Sequence, residues 1–215
     1  MNTDRHTLIT LLFETGGGYI LTIAPFVVLV GILFWILRGQ WLKKQGLQRG
    51  NFAEESLLLL FTCYFAGLLA LVCTPPNFWS LFWSRIIHGY SGGEMTPLFS
   101  GGFNFVPSIF YYMKGQVTGG NWVKAMALGN VLLYVPFGFL LPAIQKNVKQ
   151  VKTIALGIAL SVLIELEQPI VGRSFDVDDI IANTIGTVIG CFCFAILKLI
   201  FKMFKNARTE SGDSP

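Results

Sequence analysis

The sequence between Ser161 and Gly186 concentrates polar side chains at the junction of two apolar runs. Ionisable groups in or beside a membrane span are costly unless they are paired or face a cavity, so each is a candidate for function. This stretch carries the strongest signal for chemistry in the chain. Its charged and amide-bearing members are Glu165, Glu167, Gln168, Arg173, Asp176, Asp178, Asp179 and Asn183.

Helical spacing assigns four of these side chains to particular faces. Glu165 and Gln168 are three residues apart and share one face of a helix, from which Glu167 points away. Asp179 and Asn183 are four residues apart on the next helix. Glu165 lies about one and a half turns before its helix ends. A carboxylate at that depth suits a general acid or base, or a cation ligand.

The residues that follow Glu165 predict a turn and a helix cap. Pro169 and Gly172 end the helix and place Arg173 in the turn, where its guanidinium can form a two-pronged bond to a carboxylate. Asp176 and Asp178 then fall where they can cap the next helix by accepting bonds from free backbone amides. A purely structural alternative therefore exists, in which caps, an Arg–Asp bridge and a Glu–Asn contact lock two helices together.

A second polar element lies in an apolar run that begins near Asn130. Pro136 and Pro142 predict a kink or local unwinding of this run, and Gly138 allows a neighbouring helix to approach closely. An isolated Asn in a membrane helix commonly forms only an interhelical contact. Because Asn130 lies at the level of the acidic cluster, we predict that it shares one site with it.

The composition excludes an ordinary soluble domain. The chain of 215 residues is 53% apolar and only 13% charged, against roughly 45–50% and 25% in soluble proteins. Its basic residues are scattered, which argues against a nucleic-acid partner. No His or Cys spacing resembles a zinc site, and no metal site is predicted. We therefore predict an all-α membrane protein with membrane lipid as a partner, while its cofactors remain unknown.

Five apolar stretches of about 20 residues predict five transmembrane helices. Eleven of the sixteen Lys and Arg residues follow the first or third stretch or close the fifth, which places those connections in the cytoplasm and the N-terminus outside. The predicted spans are residues 19–37, 57–74, 125–144, 153–171 and 180–201. The corresponding divisions are an extracellular segment (1–18), a first helix with a basic loop (19–56), a membrane domain (57–201) and a cytoplasmic tail (202–215).

The connection between the second and third spans is long, aromatic and broken by glycines. Its two apolar segments, 78–87 and 103–113, are too short to cross a membrane. We predict interfacial or re-entrant helices here. The alternative is a lid of aromatic packing that binds no ligand.

Four segments, in order, resemble the VanZ-like family of bacterial membrane proteins, named for an accessory factor of glycopeptide-resistance clusters. The resemblance covers roughly residues 57–200. Tyr134 departs from it where the family often has Phe, and so does the Pro76–Asn77 pair, where a single Pro after Phe is usual. The matching segments are Thr74-Pro75-Pro76, Phe103-Asn104-Phe105-Val106-Pro107, Asn130 to Gly138, and the set Glu165, Gln168, Arg173, Asp179, Asn183 and Gly186.

The resemblance implies a protein of the bacterial plasma membrane that confers low-level teicoplanin resistance without precursor remodelling. It supplies no mechanism. One hypothesis is that the protein acts at the outer face on the drug or on the lipid-linked cell-wall precursor. The predicted ligand-binding residues are Asn130, Gln168, Asp176, Asn183 and Asn104.

The alternative hypothesis is an intramembrane enzyme acting on a lipid-linked or phosphate-containing substrate. Glu165 would be the general acid or base, Arg173 would hold a phosphate or carboxylate, and Asp179 would orient water or hold a divalent cation. A transporter ranks last, because the sequence shows no internal repeat and no second polar band on the cytoplasmic side.

Overall fold

The computed structural model describes residues 17–89, 93–107, 121–145 and 148–210. Helices dominate the described chain, and two strands of two residues each join distant parts of it. The predicted all-α membrane fold is confirmed. In chain order the elements are α1 (Gly17–Lys44), α2 (Phe52–Val72), α3 (Phe78–His88), β1 (Phe103–Asn104), α4 (Asn121–Ile144), α5 (Gln150–Glu167), β2 (Phe175–Asp176) and α6 (Val177–Glu210).

Four helices of the described chain are long and apolar enough to cross a membrane: Ile20–Lys44, Phe52–Val72, Lys124–Ile144 and Val177–Asn206. They match the first, second, third and fifth predicted spans. The remaining predicted span forms α5, whose 18 residues extend about 27 Å. This helix includes three charged residues, Lys152, Glu165 and Glu167. The chain is thus a multi-pass membrane protein, and a fifth crossing by α5 stays a prediction.

The helices α4 and α6 form the most extensive contact of the bundle. A β-carbon on Gly138 would collide with the backbone carbonyl of Thr187, and one on Gly186 would collide with that of Val131. Small residues at a membrane-helix crossing let the two backbones approach closely. The close approach predicted at Gly138 is confirmed. It brings the start of α6 against the first half of α4, where Asn130 lies.

Proline does not interrupt α4. The helix runs without a break from Asn121 to Ile144, with Pro136 and Pro142 inside it. The local unwinding expected from the sequence is therefore absent from α4. Beside it, Leu68, Tyr134 and Ile164 form a buried cluster contributed by α2, α4 and α5. This apolar cluster lies next to the polar residues Asn130 and Glu165, which are on α4 and α5.

The long connection contains one of the two predicted short helices, α3. The indole of Trp79 donates a 2.7 Å hydrogen bond to the carbonyl of Ala70, and that of Trp83 donates to Thr22. These bonds fix α3 against α1 and α2.

The second predicted short helix, 103–113, begins differently. Phe103 and Asn104 form β1, which pairs in parallel with Phe175 and Asp176 of β2, so the expected helix is wrong for these residues. Residues 108–113 lie outside the described chain, as do 1–16 of the predicted extracellular segment and the last five residues of the predicted tail.

The bundle has two chemically different ends. We call the end that holds Glu165 and Asp179 the polar end. At the other, the basic end, half-buried Arg38 forms an ion pair with buried Glu55 at 2.6 Å and 2.8 Å. The backbone amide of Gly50 also donates to Glu55. A buried carboxylate is tolerated only when it is paired in this way, so the pair joins α1 to α2 firmly.

Candidate functional site

The polar residues predicted from the sequence converge at the polar end, where α5 ends and α6 begins. Glu165 is only 1% exposed. Its Oε1 accepts a hydrogen bond from Nε2 of Gln168 at 3.1 Å, and its Oε2 accepts one from the backbone amide of Asp176 at 2.9 Å. Both oxygens are therefore engaged. The prediction that Glu165 and Gln168 share one helix face is confirmed.

Asp176 caps α6, as the sequence predicts. Its Oδ1 accepts a 2.9 Å hydrogen bond from the backbone amide of Asp178, which satisfies one of the amides left free at the start of a helix. Its Oδ2 accepts a 3.2 Å bond from Nδ2 of Asn104. The pairing of β1 with β2 therefore brings Asn104, a residue 72 positions earlier, into the site.

Arg173 binds a helix end. Its Nε and Nη2 donate to the carbonyls of Thr74 and Leu71 at 3.2 Å and 3.0 Å. Leu71 lies in the last turn of α2, where carbonyls lack partners within the helix, and Thr74 lies two residues beyond the end of α2. Nε and Nη2 thus bond to backbone carbonyls, whereas the sequence suggested a two-pronged bond to a carboxylate. Arg173 still lies close enough to Glu165 and Asp179 to act on both electrostatically.

Asp179 connects α6 to α4. The side chain of Asn130 lies within hydrogen-bonding reach of the Asp179 carboxyl group. Asp179 also interacts electrostatically with Glu165 and Asp176. The structure thus brings the carboxylates of Glu165, Asp176 and Asp179 together with Asn130 of α4, and Arg173 in the turn between α5 and α6 acts on Glu165 and Asp179.

Asn183 meets a different partner from the one predicted. Its Nδ2 donates to Oγ of Ser161 at 2.9 Å, and both residues are buried. The expected Glu–Asn contact is therefore wrong for Glu165. The helices α5 and α6 run in opposite directions, so a residue one turn beyond Asp179 meets the residue one turn before Glu165.

Sequence reasoning missed Ser161 as a site residue and noted Tyr134 only as a departure from the family pattern. Both are almost fully buried, and the hydroxyl of Tyr134 lies near Ser161. A signal was present, because each lies four residues from a predicted member: Ser161 from Glu165, and Tyr134 from Asn130. Residues four apart share a helix face.

Two buried polar atoms at the base of the site have no hydrogen-bond partner among the described residues: the hydroxyl of Tyr134 and Oδ1 of Asn183. Leaving such a group unpaired costs about 1–3 kcal/mol. Buried water or a bound ligand satisfies groups of this kind. The base of the site therefore has free hydrogen-bonding capacity.

A segment of the long connection covers the turn between α5 and α6. The amide of Phe99 donates to the carbonyl of Ile170 at 2.9 Å, and the amide of Phe175 donates to the carbonyl of Gly102, also at 2.9 Å. Gly172, at a positive φ of 80°, packs so closely beneath this segment that a β-carbon there would meet Thr96. We call residues 96–105 the cover.

The cover and β2 together form an aromatic ledge, defined as Phe103, Phe105 and Phe175. The rings of Phe103 and Phe105 are stacked, with centroids 5.8 Å apart, and Phe105 contacts the ring of Phe175. Phe103 and Phe105 are 61% and 66% exposed. An exposed aromatic surface thus lies directly beside the buried carboxylates.

The described residues contain no group of three or more His, Cys, Asp or Glu side chains arranged to hold a metal ion. The chemical groups that the site offers are paired carboxylates, one guanidinium, and neutral amide and hydroxyl groups. Such a set can bind a polar head group and can transfer a proton.

Comparison with known proteins gives a family. No curated protein matches the chain, and no solved structure does. A family model described as VanZ/LLP1 matches residues 61–198, which is more than half of the chain and includes all the site residues above. The protein is therefore a member of the VanZ/LLP1 family.

Proposed function

We propose that this protein acts at the outer face of the bacterial plasma membrane on a glycopeptide antibiotic or on the lipid-linked cell-wall precursor, and so confers low-level resistance to teicoplanin. The observation that carries the proposal is the position of the aromatic ledge beside the buried polar cluster. A ligand with an apolar or aromatic part and a polar part could contact both at once. Membership of the VanZ/LLP1 family supports the link to antibiotic resistance.

The two surfaces suit different parts of such a ligand. Phe103 and Phe105 offer stacked, exposed rings to an aromatic or acyl group. Asn104 lies between them in the chain and already bonds to Asp176, so a ligand on the ledge is one residue from the polar cluster. Beyond it, the unpaired hydroxyl of Tyr134 and Oδ1 of Asn183 are buried, and they would receive the polar group when the cover moves away from the turn.

The distribution of charge supports an outward-facing polar end. The ends of α1 and α6 and the start of α5 carry most of the basic residues of the described chain, and all three lie at the basic end. Short cytoplasmic loops accumulate Lys and Arg. The basic end would then face the cytoplasm, and Glu165 would lie near the outer surface.

The second candidate function is an intramembrane enzyme that acts on a lipid-linked or phosphate-containing substrate. The observation that favours it is the close approach of Glu165 and Asp179 beside Arg173. One carboxylate would accept a proton from an attacking hydroxyl group and the guanidinium would stabilise developing negative charge. Because Glu165 is closed to solvent, this function requires the cover to move away from the turn.

The test is teicoplanin susceptibility of a sensitive Gram-positive host that expresses the wild type, Glu165→Gln or Arg173→Ala at matched membrane levels, with vancomycin as the second drug. Glu54→Gln is the matched control, because Glu54 is an exposed carboxylate at the basic end. We expect selective teicoplanin resistance that both site variants lose and the control retains. Resistance retained by both site variants would exclude a role for the cluster.

Binding separates the two candidates. If Glu165→Gln loses resistance but still binds teicoplanin or the precursor as the wild type does, the carboxylate acts in catalysis. If Glu165→Gln loses binding as well, the carboxylate recognises the ligand. Binding of teicoplanin and binding of the precursor are each measured on purified full-length protein in detergent.

A further inference from the structure

A separate cavity of about 700 Å³ opens at the basic end. It lies between α4, α5 and α6, with Leu57 of α2 at its edge. Its walls are largely apolar, and two of its rings, Phe139 and Phe194, meet edge to face with centroids 6.0 Å apart. The volume falls within the roughly 300–1,000 Å³ typical of sites for small molecules.

The rim of this cavity is basic. Lys149 and Lys198 line it, together with Gln150, and all three are exposed. None of the described residues that line it is Asp or Glu. The cavity thus combines an apolar interior with a positively charged mouth.

The depth of the rim matches a membrane surface. Lys198 follows Asp179 of the polar cluster by 19 residues on the same helix, which is about 29 Å along the axis. The hydrocarbon core of a bilayer is about 30 Å thick. With Asp179 near one surface, Lys198 reaches the other, and Phe194 lies one turn deeper in the hydrocarbon.

We propose that this cavity binds an anionic phospholipid of the leaflet at the basic end. An acyl chain packs against Phe139, Phe194 and Phe201, and the phosphate of the head group lies between Lys149 and Lys198. Basic pockets between membrane helices bind anionic head groups, and lysine is a common phosphate ligand. Lys149 is the N-cap residue of α5 and its side chain is exposed, so its ammonium can reach the head group.

The test is native mass spectrometry of the purified full-length protein titrated with phosphatidylglycerol or phosphatidylcholine in detergent. We expect the wild type to prefer phosphatidylglycerol. In the double variant Lys149→Gln/Lys198→Gln, the preference falls by roughly 25-fold, since each basic side chain near a membrane surface contributes about fivefold. The control, Lys43→Gln/Lys44→Gln, removes two lysines from the basic end outside the cavity and leaves the preference within about twofold of the wild type.

A second variant tests the apolar interior. Ala143→Phe places a ring in the cavity that Ala143 lines, and should reduce binding of both lipids while thermal unfolding shows that the protein is folded. Unchanged preference in Lys149→Gln/Lys198→Gln, or an equal loss in the Lys43→Gln/Lys44→Gln control, would overturn the proposal. So would a stable dimer without bound lipid, since a second copy would then be the occupant.

Discussion

The backbone amide of Asp176 donates a 2.9 Å hydrogen bond to Oε2 of Glu165. This bond ties the residue that caps α6 to a buried carboxylate near the end of α5. Because Asp176 also accepts from Asn104 of the cover, Glu165 is linked through one residue to the segment above the site. Glu165 therefore has a structural role whatever chemistry it performs.

The first prediction concerns the size of that structural role. Glu165→Ala leaves Gln168 and the Asp176 amide without their partner and opens a cavity, so the free energy of unfolding should fall by about 2–4 kcal/mol. Glu165→Gln keeps one acceptor oxygen and the shape of the side chain, and should cost about 1–2 kcal/mol. Thermal unfolding of the purified variants in detergent measures the difference. Equal losses in the two variants would show that the hydrogen bonds contribute little.

The second prediction concerns Arg173. Arg173→Lys retains the charge but offers a single ammonium in place of a planar fork that reaches two carbonyls, so the stability should fall by about 1 kcal/mol. Arg173→Ala removes the charge beside Glu165 and Asp179 as well, and should cost about 3 kcal/mol or more. Arg85→Ala is the control, because Arg85 is exposed on α3. A charge-only role would appear as an unchanged stability of the Lys variant.

The third prediction concerns the crossing of α4 and α6. Gly186→Ala would drive a β-carbon into the carbonyl of Val131, and overpacking of this kind costs about 1–3 kcal/mol. Gly129→Ala lies on α4 with nothing within 4 Å of the new β-carbon, so it should be neutral or stabilising by about 0.5–1 kcal/mol. The free energy of unfolding in detergent is measured for both variants, Gly186→Ala and Gly129→Ala. Similar effects of the two changes would contradict the close crossing.

The fourth prediction separates folding from function at Tyr134. Its hydroxyl has no hydrogen-bond partner among the described residues, so Tyr134→Phe should leave the free energy of unfolding unchanged or raise it by up to about 1–3 kcal/mol. If the hydroxyl binds the ligand, the same variant should lose about two- to tenfold in teicoplanin binding. A matched change, Tyr64→Phe, removes a hydroxyl that donates to Leu133 at 2.8 Å and should reduce stability instead. Unaltered teicoplanin binding by Tyr134→Phe would show that the hydroxyl of Tyr134 does not contact the ligand.

Sequence reasoning succeeded where the geometry is local. The 3.6-residue period of a helix is enough to place Gln168 beside Glu165, and the position of Asp176 before an apolar run is enough to predict a cap. The composition and the long apolar stretches are enough to predict a helical membrane protein, because few other structures satisfy the backbone in lipid.

It failed where partners come from different helices. The pairing of Asn183 with Ser161 depends on how α5 and α6 are set against each other, and no period within one helix contains that information. The sequence also allowed Arg173 to bond to a carboxylate. Its acceptors are instead the carbonyls of Thr74 and Leu71, because the end of α2 lies beside it in the folded chain. The strand β1 has two residues, which is too short to show an alternating pattern.

The pairing of β1 with β2 also determines the order in which parts of this protein can fold during synthesis. Phe103 leaves the ribosome 72 residues before Phe175, its partner in the strand pair. The strand β1 therefore lacks its pairing partner while α4 and α5 are being synthesised, and it can pair only after the chain has grown past Asp176. The polar end is consequently completed late in biosynthesis, and a nascent chain arrested between α4 and α5 would expose Phe103 and Phe105 without the turn that they cover.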